Sequence, residues 1–545
     1  MKKDWGGLTL ADALDETVNR FPDKEAIVFN DRRITFRELK EKINKLAKAF
    51  LKLGLKREDK IAIMMGNCPE WVYARDAAIR IGALWVPINT RYKLPELEYI
   101  LRHSDATTLV MVDEFLQINF IEMINKLCPE LSRCEPGRLA SEKLPLLKNV
   151  ICLSEKKYDG MFNFNEFLEY GSDVPDDELK EARSSIQPDD TANITYTSGT
   201  TGAPKGVMTS HSQFLKAMAA MAERFGTTED DHILLPAPLF TNIGNLTGLI
   251  QGEMYGAPLV MLEYFNTPEV LRAIKEERCS IFTGPPAMYT MMIEHEDFKK
   301  RDVSSMRTGI IGGAPVTPEI VGRIAEEIGM KIFSAYGMTE NSAITTMSEV
   351  DDSFEMIANT SGRLLFKDCE MKIVDPKTGK DLPQGKEGEI WTRGWLVMKG
   401  YYKMPEETAK SIDKEGWFHT GDLGIMDQGG YLKVTGRLKD LIISGGFNID
   451  PVEVGSLISQ HPSVEMAQVI GVPDHRLGEV AMAFVKLKEG KECKEDDIID
   501  FCMDRIGKYK VPKYVKFIEE FPVTAYGKVQ KFKLKDMAIK ELGLK

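Results

Sequence analysis

No stretch of this 545-residue chain is apolar for long enough to span a bilayer. A spanning helix needs ~20 mostly apolar residues. The longest apolar region, about 233–262, is broken by Pro236, Pro238, Asn242, Asn245, Gln251 and Glu253, so it is expected to be buried core. Paired cysteine spacings are missing too. The eight cysteines, at 68, 128, 134, 152, 279, 369, 493 and 502, contain no Cys-x-x-Cys. That argues against a zinc site and fits reduced thiols in the cytoplasm. Positive charge is not in excess: 71 Lys and Arg face 83 Asp and Glu, a net charge of −12. A nonspecific nucleic-acid binder would carry a basic footprint. The N-terminal Met1-Lys-Lys-Asp-Trp-Gly-Gly has no apolar core after it, so no signal peptide is expected. Internal repeats and low-complexity tracts are also lacking. What is present is an ordinary globular composition, 43% apolar and 28% charged. The length exceeds the ~250–300 residues at which single cores stop growing, so two or more domains are expected.

The first part of the chain alternates strand and helix. Strands are expected at 25–29, 60–66, 83–87 and 108–112, and helices at 35–53, 69–82 and 94–103. Thr35 with Glu38 three residues on is a capping-box pattern. This alternation predicts an α/β layered domain with a largely parallel sheet. Residues 115–190 read as polar and irregular. After about 440 the pattern changes: helix 451–460, strands 465–472 and 480–487, helix 494–505, strand 514–518. That predicts a small α+β domain.

The chemistry concentrates in Tyr196-Thr-Ser-Gly-Thr-Thr-Gly-Ala-Pro-Lys-Gly-Val207. Glycines let backbone approach a ligand closely. Successive N–H groups and the hydroxyls of Ser198, Thr200 and Thr201 can form an anion-binding nest. Lys205 adds a movable cation. A Walker A loop is excluded by Pro204 and Gly206 around that lysine. Taken alone, the stretch reads equally as a surface loop with a solvated lysine. His211, at the start of a helical run to Phe225, reads as structural.

The loop resembles the signature of the adenylate-forming superfamily, which includes acyl-CoA synthetases, carrier-loading adenylation domains and luciferases. The family's other motifs follow in order, so the similarity covers nearly the whole chain. It implies a fold of a large multi-subdomain N-terminal α/β domain, 1–437, a hinge at 438–440 and a small mobile α+β domain, 441–545. It implies nucleotide contacts from Thr197, Ser198, Gly199, Thr200, Thr201, Gly202 and Lys205. The strand and glycine turn Ile310-Ile-Gly-Gly-Ala-Pro315 offers Gly313, Ala314 and Pro315 to an adenine. The resemblance also implies nucleotide contacts from Ala335, Tyr336, Gly337, Met338 and Thr339, with Tyr336 stacking on the purine and Thr339 bonding a phosphate, and a Mg²⁺ held by Glu340 with Thr200. A lone carboxylate suits Mg²⁺, which takes one or two carboxylates plus substrate phosphates. In Gly416-Trp-Phe-His-Thr-Gly-Asp422, Asp422 is suited to both ribose hydroxyls, with Val434 and Arg437 beside the nucleoside. Lys439 is the implied hinge. Ser444, Gly445 and Gly446 form the passage for the thin arm of CoA. In Pro522-Val-Thr-Ala-Tyr-Gly-Lys528, Lys528 is the implied catalytic cation, alongside Glu340 and Lys205. Tyr526 replaces the family's small hydroxyl residue, and Gly455 stands where many members carry glutamate.

The expected reaction has two halves. A carboxylate and ATP give acyl-adenylate and pyrophosphate; CoA then takes the acyl group. No general base is needed, because a carboxylate of pKa ~4 is already ionised at neutral pH. The expected acyl pocket draws on Phe240, Thr241, Ile243, Gly312 and Met347, with glycines 312, 313 and 337 leaving room, which suits a medium or longer fatty acid, or an alicyclic or aryl acid. Thr241 stands where many acyl-CoA synthetases have histidine. No acidic residue lies between 233 and 252, so nothing there would pair an amino acid's ammonium. The alternatives are a stand-alone adenylation enzyme that loads a carrier-protein thiol, a luciferase-like oxygenase, and a nucleotide-binding regulator without catalysis. Expected partners are the acid, ATP and CoA, with no nucleic acid and no transmembrane segment; a homodimer is an open assembly.

Overall fold

The computed structural model describes residues 4–197, 204–312, 316–444, 447–474, 477–503, 505–506, 508–523 and 529–543. It divides into two compact units. The first comprises Met1–Cys369 and Gly394–Lys410, the second Glu370–Arg393 and Ser411–Lys545. The chain therefore leaves the first unit at 369 and returns to it for one short segment. Compactness groups residues by contact; the expected pivot at 438–440 concerns rotation and remains a proposal.

The first unit is built on two large sheets. One has eight strands, with Lys60–Met64, Leu84–Pro87, Ala106–Val112 and Asn149–Leu153 parallel at its centre. The other has nine, and its parallel centre includes Ile233–Leu235, Leu259–Met261, Ile281–Phe282, Thr308–Ile311 and Lys331–Tyr336. Strand side chains alternate between faces, and the burial follows that rule on both sheets. Ile61 and Ile63 join Ile27, Ile233, Leu235, Leu259 and Met261 in one shared core. Ala62 and Met64 point the other way, into a core with Leu97 and Ile124. Val28, Leu234 and Val260 do likewise on the second sheet, against Val270, Ile274 and Val321. Helices Leu10–Arg20, Phe36–Lys52, Pro69–Arg80 and His211–Phe225 contribute to the shared core and so form a layer between the two sheets.

The expected elements appear within a few residues of their predicted limits. The capping box of Thr35 and Glu38 opens Phe36–Lys52. Region 233–262 is buried strand, turn and helix, as its interrupted apolar run implied. Residues 115–190 are more regular than expected. They hold helices Phe120–Leu127, Phe164–Tyr170 and Asp176–Ser184. Asn119 and Asn163 cap the first two, and such short capped helices give little periodic signal.

The second unit opens with an antiparallel four-stranded sheet: Glu370–Val374, Glu387–Arg393, Phe418–Met426 and Leu432–Arg437. A second sheet is centred on the long hairpin Val464–Asp474 and Gly478–Leu487, with Tyr514–Phe517 parallel to its second strand. One face, with Ala467, Val469, Ala481 and Val485, packs on residues of helices Pro451–Ile458 and Glu495–Met503. The other, with Ile470, Val472, Met482 and Phe484, packs on Leu534 and Ala538 of Lys531–Leu542. This is the mixed small domain that the change of pattern implied. Among the described residues no helix is long and apolar enough to cross a membrane.

Candidate active site

In the first unit the site starts from the hairpin Thr191–Thr197 and Lys205–Ser210, where Thr197 pairs with Lys205 across the strands. Ser198, Gly199, Thr200, Thr201 and Gly202 lie outside the described residues, as do Gly313, Ala314, Pro315, Gly445, Gly446 and Lys528. The limbs of the hairpin are braced from below. Tyr99 donates from its hydroxyl to the Pro204 carbonyl at 3.1 Å, and His103 Nδ1 shares a hydrogen bond with the Tyr196 hydroxyl at 2.8 Å. Burial lowers the His103 pKa below the usual imidazole value. His211 is buried, which pushes its imidazole down to about 4 and fits its reading as a structural, neutral histidine.

Glu340 sits on the turn Thr339–Asn341, directly after strand Lys331–Tyr336. Its side chain is buried. The Tyr401 hydroxyl donates to Glu340 Oε1 at 3.1 Å, and Met398 N–H donates to the Glu340 carbonyl at 2.8 Å. Asn242 Nδ2 donates to the Thr339 hydroxyl at 3.0 Å, tying the turn to the segment after Phe240. The Lys205 ammonium lies 4.8 Å from the centre of the Tyr401 ring and 2.6 Å from Glu407 Oε2. One tyrosine thus touches both the loop lysine and the buried carboxylate. Tyr401 is placed by the edge strand Gly400–Tyr401, which pairs with Val207 and Met208, and its N–H donates to Thr408 at 2.9 Å. Neither Tyr401 nor Glu407 was singled out from the sequence. A Gly-Tyr-Tyr before a Pro-Glu-Glu helix start is a common surface pattern, and only the long-range pairing gives it meaning.

Of the residues expected to wall an acyl pocket, Phe240 and Met347 are buried and Ile243 is half-buried; the neighbouring Leu239 and Leu246 are buried too. Met347 pairs with Ala335 across two strands. Thr241 accepts from Gly244 N–H at 2.9 Å and so closes a local turn. Gly244 is needed there, since an added Cβ would lie 2.2 Å from the Pro238 carbonyl oxygen. The turn leads into the wide helix Ile243–Ile250, whose π-type geometry often marks functional segments. A Cβ added at Gly312 would make only ordinary contacts with the described residues, 3.5 Å from the Ile310 side chain and 3.7 Å from the Ala335 carbonyl oxygen. Gly337 differs from the expectation that it leaves room. An added Cβ there would lie 2.1 Å from the Ala343 carbonyl, so close backbone approach explains that glycine.

In the second unit Asp422 and Arg437 face each other across adjacent strands, with Arg437 Nε 2.7 Å from Asp422 Oδ1. Asp422 is buried and Arg437 is half-buried. They adjoin an open cleft of about 190 Å³ lined by Thr420, Gly421, Arg437, Leu438 and Lys439. Val434 lies on the same strand as Arg437. Ser444 is buried at the end of strand Ile442–Ser444.

A family model described as "AMP-binding enzyme" matches residues 14–402, and one described as "AMP-binding enzyme C-terminal domain" matches 453–528. YngI of Bacillus subtilis (strain 168), named as a candidate acyl-CoA synthetase, is 39% identical over 539 residues, 98% of each chain. The mitochondrial medium-chain acyl-CoA ligase ACSF2 of Danio rerio is 37% identical over 98% of this chain and 89% of its own. The crystal structure of the anthranilate CoA ligase AuaEII in complex with anthranoyl-AMP superposes with a TM-score of 0.83 at 27% identity, covering 99% of this chain and 98% of that one.

Proposed function

We propose a division of labour among these residues from one premise: the chain belongs to the AMP-binding enzyme family. It is an acid–thiol ligase, an AMP-forming acyl-CoA synthetase. It joins a carboxylic acid to AMP with release of pyrophosphate from ATP, then passes the acyl group to CoA. Joining to AMP supplies a leaving group that a bare carboxylate lacks. The first half is an in-line attack on the α-phosphorus, where catalysis is mostly positioning and charge stabilisation.

The observation that carries the residue assignment is the Tyr401 contact with both Lys205 and Glu340. It holds a cation and a carboxylate on either side of one phenol, an arrangement suited to a metal-bound phosphate chain. Lys205 and the 197–202 backbone take the triphosphate, with Tyr336 and the Gly313–Pro315 turn for the adenine. A single buried, oriented carboxylate fits Mg²⁺, which needs no more than one or two protein carboxylates beside substrate phosphates. Glu340 and Thr200 would hold it, and when bound it neutralises charge on the phosphates. Asp422 and Arg437 take the ribose. Lys528 supplies the cation for adenylation. Lys439 is the pivot that exchanges Lys528 for the Ser444–Gly446 face between the two halves.

The acid we assign is a medium-chain fatty acid. No charged side chain occurs from 233 to 252, and Phe240, Ile243 and Met347 offer an apolar wall. The ACSF2 relatives are named for medium-chain substrates. The unpaired cysteines suit a reducing, cytoplasmic setting. Pyrophosphate release should be measured with ATP and Mg²⁺ against medium-chain, aryl and amino acids, with and without CoA. A medium-chain acid should give the highest rate, accelerated by CoA, with AMP and thioester as products. Preference for an aryl acid would overturn the acid assignment, and indifference to CoA would overturn the Ser444–Gly446 passage.

Two substitutions test single roles. Asp422→Asn should raise KM for ATP about tenfold or more, because hydrogen bonds to a charged partner contribute roughly 1.5–3 kcal/mol. An unchanged KM removes Asp422 from the ribose. Gly446→Trp should leave adenylation near normal and abolish thioester formation, since an indole cannot share a passage that only a thin chain fits. Normal thioester yield would refute the passage.

A further inference from the structure

Glu407 has no part in the chemistry above, yet it holds the lysine that does. It lies on the short helix Pro405–Ser411, and its carboxylate accepts from Lys205 at 2.6 Å and from Lys410 at 2.7 Å. Those two ammonium groups draw the Glu407 pKa down to about 2, so it stays ionised throughout the neutral range. The Lys205 ammonium is therefore enclosed by an anion on one side and the face of Tyr401 on the other. The ring is fixed, because Tyr401 is buried, strand-paired and bonded through its hydroxyl to Glu340. The carboxylate is not: Glu407 is 36% exposed at its side chain and stands at the end of a two-carbon stem. An incoming triphosphate meets Lys205 as a stronger anion and repels the like charge of Glu407.

We infer that Glu407 is a positioning residue that parks Lys205 against Tyr401 in the nucleotide-free enzyme and gives it up to the triphosphate. The inference rests on the reading that Lys205 binds the phosphates. It makes Glu407 a built-in competitor of ATP. Removing its charge then strengthens nucleotide binding, whereas loss of a merely structural contact would weaken it. Lys410 keeps the released carboxylate from being left without a partner, which lowers the cost of the exchange.

The test is calorimetric titration of the full-length protein with a non-hydrolysable ATP analogue and Mg²⁺. Glu407→Gln should bind the analogue about two- to fivefold more tightly than the wild type, the range expected for one exposed ion pair. Glu407→Asp, which keeps the charge, should bind as the wild type does. Steady-state adenylation by Glu407→Gln should show the same fall in KM for ATP. Weaker or unchanged binding by Glu407→Gln overturns the inference. Lys205→Ala separates the two levels. If it binds the analogue as well as the wild type, the phosphate role of Lys205 falls, and the inference with it. If it binds more weakly while Glu407→Gln is unchanged, only the parking role falls.

Discussion

Replacing Lys528 with alanine is expected to cut adenylate formation about 10²–10³-fold, the loss typical when one preorganised group facing transition-state charge is removed. The same variant should convert supplied acyl-AMP and CoA to thioester at close to the wild-type rate. The asymmetry follows from the chemistry of the halves. Negative charge gathers on the α-phosphate while the carboxylate attacks and pyrophosphate leaves, and a cation there lowers the barrier directly. Thioester formation breaks the acyl–phosphate bond with AMP as the leaving group, and the proposed pivot at Lys439 takes Lys528 away before that step. Pyrophosphate release measures the first half, and consumption of supplied acyl-AMP measures the second. Equal loss in both would remove Lys528 from its role and the pivot from the mechanism.

Arg75→Leu is expected to destabilise the first unit by about 3–5 kcal/mol at neutral pH, the usual result of removing one partner from a buried ion pair. Helix Pro69–Arg80 is buried along its whole length, yet it carries Arg75, Asp76 and Arg80. The Arg75 guanidinium donates to Glu253 at 2.8 Å and to Asp76 at 2.7 Å, with no exposure to solvent. Burial raises the pKa of both carboxyl groups, and Arg75 opposes that rise. Such a group keeps its proton in the folded chain at a pH where the unfolded chain has lost it. Its contribution is therefore complete below the unfolded value near ~4 and is lost as pH rises through the folded value. Without Arg75 the two folded values rise further, so the destabilisation should stay level until pH reaches the raised wild-type folded values and widen only above them. Urea midpoints across that range measure it. A cost that does not change with pH would mean that packing of the Arg75 stem, rather than its charge, is what the fold loses.

Much of this architecture was legible because its signals are local. The strand at Lys60–Met64 and the cap at Thr35 lie within single elements, and each appears where it was expected. The strands expected at 465–472 and 480–487 likewise needed only their own residues, while their pairing as a hairpin came from the structure. Sites assembled from distant segments were less visible. Tyr401 matters because strand Gly400–Tyr401 pairs with Val207–Met208, a contact across nearly two hundred positions that no spacing encodes. Glu407 follows from the same pairing. The four strands between 370 and 437 carry weak apolar alternation, and nothing in them separates their sheet from the large α/β part. Gly337 misled for another reason: a missing side chain marks close approach, and letters do not say whether ligand or backbone does the approaching.

The return of the chain for residues 394–410 bears on how this enzyme can be divided or recombined. A fragment cut at Cys369 would lack the edge strand with Tyr401 and the helix with Glu407. Its eight-stranded sheet would end on the bare strand Lys205–Ser210, an unpaired edge of the kind that invites aggregation. A single crossover between two related genes meets the same constraint. Placed between 370 and 393, it would join the loop lysine of one parent to the tyrosine and glutamate of the other. Placed after 410, it would transmit Lys205, Glu340, Tyr401 and Glu407 together as one inherited block.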